Sequence, residues 1–157
     1  MELMTTMVVA GILSGIAISS MSQPWRRQRL DSAAKELTAW LEQRRIQAIQ
    51  TSRNCIISID ASQAQLAAAS DNSCGEFGLL DLRSTSSNSQ SLSLSSANNA
   101  SELLFTPRGT STTTAELSLS LPAESRQRCI NITSPLGLIR LGRRLSASDA
   151  CDYTTAQ

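Results

Sequence analysis

Arg126, Arg128, Arg140, Arg143 and Arg144 fall within 19 residues near the end of a 157-residue chain. Guanidinium groups gathered in this way can neutralise several phosphates and bind nucleic acid without regard to sequence, with an affinity that falls as salt rises. Asp149 and Asp152 follow closely and fit a plainer reading, a solvated face of balanced charge. Cys55, Cys74, Cys129 and Cys151 are the other chemically capable set, and their spacings match no paired Cys-x-x-Cys zinc arrangement. An even count in an exported domain reads as disulfides. Of the three connectivities, the local one joins Cys55 to Cys74 and Cys129 to Cys151, each closing a loop of about 20 residues and contributing about 3 kcal/mol. The absence of histidine removes His-dependent triads and His metal sites, and no base stands at a spacing that would activate one of the many serines. No catalytic, cofactor or metal constellation remains, so the chain reads as a non-enzyme.

Glu2 raises a different question, because the 19 residues from Leu3 to Met21 carry no charge. As a helix they reach about 28 Å, close to the hydrocarbon thickness of a bilayer. A cleaved secretory signal wants a basic n-region and a shorter apolar stretch, and nothing basic precedes this run. A membrane anchor is the expected role, and it leaves Glu2 at a cost of about 3 kcal/mol unless the carboxylate is neutralised or paired. Gly11 and Gly15 form a Gly-x-x-x-Gly pair on which two helices can approach closely.

The elements that position these residues follow from the periodicity. Pro24 removes a helical hydrogen bond and should kink the chain just after the span. Beyond it Leu30, Ala33, Ala34, Leu37, Leu41 and Ala48 recur at helical spacing among Arg, Glu and Gln, which extends an amphipathic helix to about Ser52. From Cys55 the apolar residues alternate or run in short blocks, "CIISI", "AQLAAA", "FGLLDLR", "SLSLS", "ELLFT", "AELSLSL", "CINIT" and "LIRLG". One long helix followed by seven or eight short strands predicts an α+β domain, an antiparallel sheet packed on the helix. Three segments result: a membrane helix over 1–23, its amphipathic continuation over 24–53 and a β domain over 54–157. The serine-rich "STSSNSQSLSLSSANNAS" predicts a mobile loop around one weak strand. A net charge of +1 gives no global attraction to polyanions, and 3% aromatics supply few stacking platforms.

Order within the apolar run carries more. "ELMTTMVVAGILSGIA" resembles the type IV pilin and pseudopilin N-terminus, in which Glu-Leu opens an apolar helix with a glycine nine residues after the acid; Glu2, Leu3 and Gly11 stand at those places. The resemblance implies that Glu2 pairs with the N-terminal amine of a neighbouring subunit, so that its burial is offset only on assembly. The family has three residues before the Glu and a short basic leader ending in glycine. Arg26, Arg27 and Arg29 after the span would hold the domain in the cytoplasm by the positive-inside rule, whereas the cysteines suggest export. An upstream start codon encoding that leader would remove both conflicts and is expected.

The second half is independently similar to the GspH/FimT family of minor pseudopilins and minor pilins. "LLFTPRGTSTTTAELSLSL" carries its Phe-x-Pro-x-Gly turn at Phe105, Pro107 and Gly109, and "RCINITSPLGLIRL" its Ser-x-x-Gly turn ending at Gly137. The helix end "RRIQAIQTSRNCIISI" supplies Arg45, Ala48 and Ile49 of its Arg-x-x-Ala-Ile segment. This resemblance implies a pilin-like fold and a structural subunit at or near the tip of a type IV pilus or type II secretion pseudopilus. Its implied partners are other pilins, an inner-membrane assembly platform and, given a leader, a prepilin peptidase. The implied location is single-pass in the bacterial inner membrane with a periplasmic domain. Some members resemble DNA receptors that use a Gly-Arg-x-Arg turn, where this chain has Gly137, Leu138, Ile139 and Arg140. DNA is therefore the alternative partner, through Arg140, Arg143 and Arg144 with Arg126 and Arg128 alongside.

Overall fold

The computed structural model describes residues 22–68, 74, 78–83, 91–97, 100–122 and 124–154. Glu2, Leu3, Gly11 and Gly15 lie outside them, as does the serine-rich stretch 84–90, so the expectations placed there concern residues beyond the described part. No helix among the described residues is long and apolar enough to cross a membrane.

Helix α1 (Ser22–Thr51) is followed by β1 (Cys55–Asp60), β2 (Gln65–Ala68), β3 (Leu79–Asp81), β4 (Ser93–Ser96), β5 (Glu102–Phe105), β6 (Ala115–Ser120), β7 (Gln127–Thr133) and β8 (Leu138–Arg144). Each apolar block in the sequence thus forms a strand. In β1 the alternation is strict, with Cys55, Ile57 and Ile59 buried and the residues between them exposed, as a half-buried strand requires.

Where the alternation suggests a single sheet, the strands divide between two, both antiparallel. The first has the order β3-β2-β1-β5 and the second β4-β6-β7-β8. The chain leaves the first sheet after β3, places β4 at the edge of the second, and returns to pair β5 with β1 through Cys55 opposite Phe105 and Ile57 opposite Leu103. β7 and β8 form the longest ladder, from Gln127 opposite Arg144 to Thr133 opposite Leu138.

Helix α1 covers both sheets, touching β1, β5, β6, β7 and β8. Its buried stripe is Leu30, Ala33, Ala34, Leu37, Leu41 and Ala48, completed by Trp40 and Arg44. Arg44 belongs to the buried face and not to the polar one. Its Nη1 donates to the Cys74 carbonyl at 2.7 Å and to Gln47 Oε1 at 2.7 Å, and its guanidinium lies 4.9 Å from the centre of the Trp40 ring. Desolvation lowers its pKa without approaching neutrality. The helix ends in a paired backbone cap, with Arg53 N donating to Ala48 O at 3.2 Å and Ser52 N to Ile49 O at 3.3 Å. Ser52 takes the left-handed conformation there, with φ at 54°.

Candidate functional site

The three family-like segments meet at the C-terminal end of α1. Arg45 Nε donates to the Gly109 carbonyl at 2.8 Å, Ala48 is fully buried, and Ile49 lies against Gly109 so closely that a Cβ there would come within 2.7 Å of its Cδ1. The turn is closed by Gly109 N donating to Thr106 O at 2.8 Å, with φ of Gly109 at 73°. From the other side Ser111 N donates to the Pro135 carbonyl at 3.1 Å, and Gly137, with φ at 63°, abuts the Gly109 carbonyl. Pro107 and the two glycines therefore do what turn residues of these types are suited to do. Phe105 belongs to the first sheet and Gly137 joins two strands of the second, so this junction locks the helix to both sheets at once.

Removing the helix's polar contact should loosen the lock measurably. Arg45→Ala deletes a charged donor to a partly buried carbonyl, at a cost of about 1 kcal/mol after allowance for its exposure. Thermal melting should show Tm lowered by about 4 °C, against no change for Arg53→Ala on the exposed surface. Equal melting of the two variants would remove Arg45 from the junction.

About 33 Å away along the helix, at the rise of about 1.5 Å per residue that separates Arg27 from Ile49, the described residues enclose a cleft of about 370 Å³. Arg126, Arg128, Arg143 and Arg144 all line it, joined by Arg27 and Asp31 from α1. Arg140, halfway along β8, is not part of it. The arginines differ in what holds them. Arg128 Nε is bound to Asp31 Oδ1 at 2.6 Å, Arg144 Nε donates to Gln127 Oε1 at 2.7 Å, and Arg27 Nε faces Glu124 Oε1 at 3.6 Å. Arg126 and Arg143 are exposed and have no side-chain partner among the described residues.

Both local disulfides form, Cys55 to Cys74 across 19 residues and Cys129 to Cys151 across 22. The second draws the C-terminal segment onto β8, where Arg143 N donates to Asp152 O at 2.9 Å and Asp152 N to Arg143 O at 2.8 Å. Tyr153 then lies over Gly142, and burial, then the Glu116 carboxylate, push its hydroxyl pKa up. Glu116 also stands beside the two cysteines, with ligand-type atoms within 4.8 Å of one another. Because both sulfurs are consumed in the disulfide, they offer no thiolate to a metal.

Glu2, Leu3 and Gly11 lie outside the described residues. Sequence reasoning found the arginines and cysteines but missed Arg27, Asp31 and Tyr153 as their neighbours. Arg27 and Asp31 do share a helix face one turn apart, the only local signal that they act together.

With this geometry in view, comparison with known proteins gives a consistent picture. The family model described as type II transport protein GspH matches residues 33–136. The fold is similar to that of the type IV minor pilin FimU of Pseudomonas aeruginosa, at 25% identity and a TM-score of 0.58, covering 73% of this chain and 89% of that one. It is also similar to that of EpsH, the minor pseudopilin of the Type 2 Secretion System of Vibrio cholerae, at 16% identity and a TM-score of 0.54, covering 72% and 95%. No curated protein sequence matches.

Proposed function

We propose, because this chain belongs to the GspH family of type II transport proteins, that it serves as a minor pilin or pseudopilin, a structural subunit of a type IV pilus or type II secretion pseudopilus. In this reading residues 1–23 anchor it in the bacterial inner membrane until the helix is drawn into a filament, with the β domain carried on the periplasmic side at or near the tip. The observation that supports it is the junction at the end of α1. A subunit pulled out of a membrane by its helix must move as one body, and Arg45, Gly109 and Gly137 bind the helix to both sheets. Its partners are neighbouring pilins, an inner-membrane platform and a prepilin peptidase, while the motor is a separate protein.

Glu2 supplies the test. Glu2→Leu removes only a charge cost from the membrane, so the variant should still insert, yet sheared filaments should lack it because the neighbour's amine has lost its partner. Immunoblots of membrane and filament fractions should give a stable, unincorporated protein. Normal incorporation would mean that the carboxylate sets no register.

DNA reception through the C-terminal arginines is the second reading, favoured by Arg126 and Arg143 standing exposed on one cleft. It ranks lower because Leu138 occupies the place of the receptors' first arginine, Arg140 lies outside the cleft, and Arg128 is held by Asp31.

A further inference from the structure

We propose that the cleft at the N-terminal end of α1 seats the phosphate of an anionic phospholipid headgroup while the chain resides in the membrane. This rests on the reading of residues 3–21 as a membrane span. The cleft's place follows from counting along the helix. Arg27 stands six residues beyond Met21, or about 9 Å as helix. The headgroup layer is about 5–8 Å deep on each side of the hydrocarbon, so this end of the domain meets its outer edge. Long arginine side chains reach back from there by burying their stems and keeping their heads wet.

Composition and exposure agree with that place. Trp25 is 64% exposed, at the depth where tryptophan is enriched in membrane proteins, and Arg26 and Arg29 flank it. Five arginines and three aspartates line the cleft, and the internal pairing of Arg128 with Asp31 leaves Arg126 and Arg143 to an external anion. Leu145, which is 62% exposed, lines the same cleft and offers apolar surface to the carbons beside a phosphodiester. A duplex suits the site less well, since Asp149 and Asp152, which also line the cleft, oppose a polyanion more strongly than a headgroup with one negative charge, and the bilayer would screen the approach. The basic residues after the span, contrary to the positive-inside rule, acquire a purpose here: they hold the domain down on the outer leaflet until extraction breaks the contact.

The test uses the full chain in mixed micelles holding equal phosphatidylglycerol and phosphatidylcholine, with retained lipids counted by native mass spectrometry and membrane insertion checked by liposome flotation. Each arginine near an anionic surface contributes about fivefold. Arg126 and Arg143 together should therefore contribute a preference for phosphatidylglycerol on the order of twenty-fivefold, and Arg126→Ala/Arg143→Ala should lower the wild-type preference by that factor. Arg140→Ala, outside the cleft, should keep the preference, as should the charge-conserving Arg126→Lys/Arg143→Lys in large part; flotation should be unchanged in all. Equal retention of the two lipids by a wild type that floats would overturn the proposal and leave the anchor reading intact. A wild type that does not float would overturn both. In phosphatidylcholine nanodiscs, duplex binding that needs Arg126 and Arg143, without any lipid preference, would replace the lipid by DNA.

Discussion

Gly137→Ala should be among the most damaging single substitutions in the described part of the chain, lowering stability by about 3 kcal/mol. Two costs combine. A side chain at φ of 63° incurs about 1–2 kcal/mol of backbone strain. The added Cβ would also come within 2.5 Å of the Gly109 carbonyl oxygen and 3.1 Å of Ser111 N, and overpacking of this kind costs about 1–3 kcal/mol. These obstacles are backbone atoms, so no side chain can swing away to make room. At about 4 °C per kcal/mol for a domain of this size, Tm should fall by roughly 12 °C. Gly142→Ala makes the informative comparison. Its Cβ would meet Tyr153 at 2.6 Å and the Asp152 carbonyl at 2.8 Å, but the nearest of these is a side-chain ring, which can turn aside where backbone cannot. Thermal melts should therefore show the smaller loss for Gly142→Ala, and a reversal of that order would mean that the junction at Gly109 yields more readily than the C-terminal segment.

The junction also marks where sequence reasoning reaches and where it stops. Pro107, Gly109 and Gly137 were legible from local turn chemistry and Ala48 from helical spacing, while Arg45 and Ile49 stood out only through the resemblance to the family's Arg-x-x-Ala-Ile segment. Their convergence was not legible, since 64 residues separate Arg45 from Gly109 and no periodicity spans that distance. The same limit explains the sheets. Alternation located every strand, but whether β5 pairs with β1 or with β4 depends on where the chain returns, and a half-buried strand looks alike in either sheet. Arg44 defeated the pattern for another reason. A guanidinium is expected in water, and contacts that no local pattern shows, Trp40 beneath it and the Cys74 carbonyl and Gln47 Oε1 beside it, make its burial tolerable. In the cleft the arginines stood out by number, while their division into held and open ones depended on Asp31, 97 residues from Arg128.

Loss of both disulfides should leave the domain marginal, the largest effect expected of any change to the described residues. The loop-entropy relation gives about 3 kcal/mol for each closure of this length. Together they approach about 6 kcal/mol, set against a total of about 5–15 kcal/mol for ordinary domains. Alanine is the proper replacement, because Cys55, Cys74 and Cys129 are fully buried and a serine would add an unsatisfied hydroxyl. Urea unfolding of Cys55→Ala/Cys74→Ala and of Cys129→Ala/Cys151→Ala should show comparable losses. The second pair should also show a local effect that the first does not. Its disulfide pins the C-terminal segment over β8, which is the edge strand of its sheet and would otherwise present a row of unpaired backbone groups. Without it, the reciprocal bonds between Arg143 and Asp152 and the contact of Tyr153 with Gly142 are left to hold that segment. Amide exchange at Arg143 and Asp152 should then quicken under native conditions, while the amides joining β6 to β7 keep their protection. If exchange at those two amides is unchanged, the backbone bonds hold the segment unaided, and the disulfide acts on the unfolded chain alone.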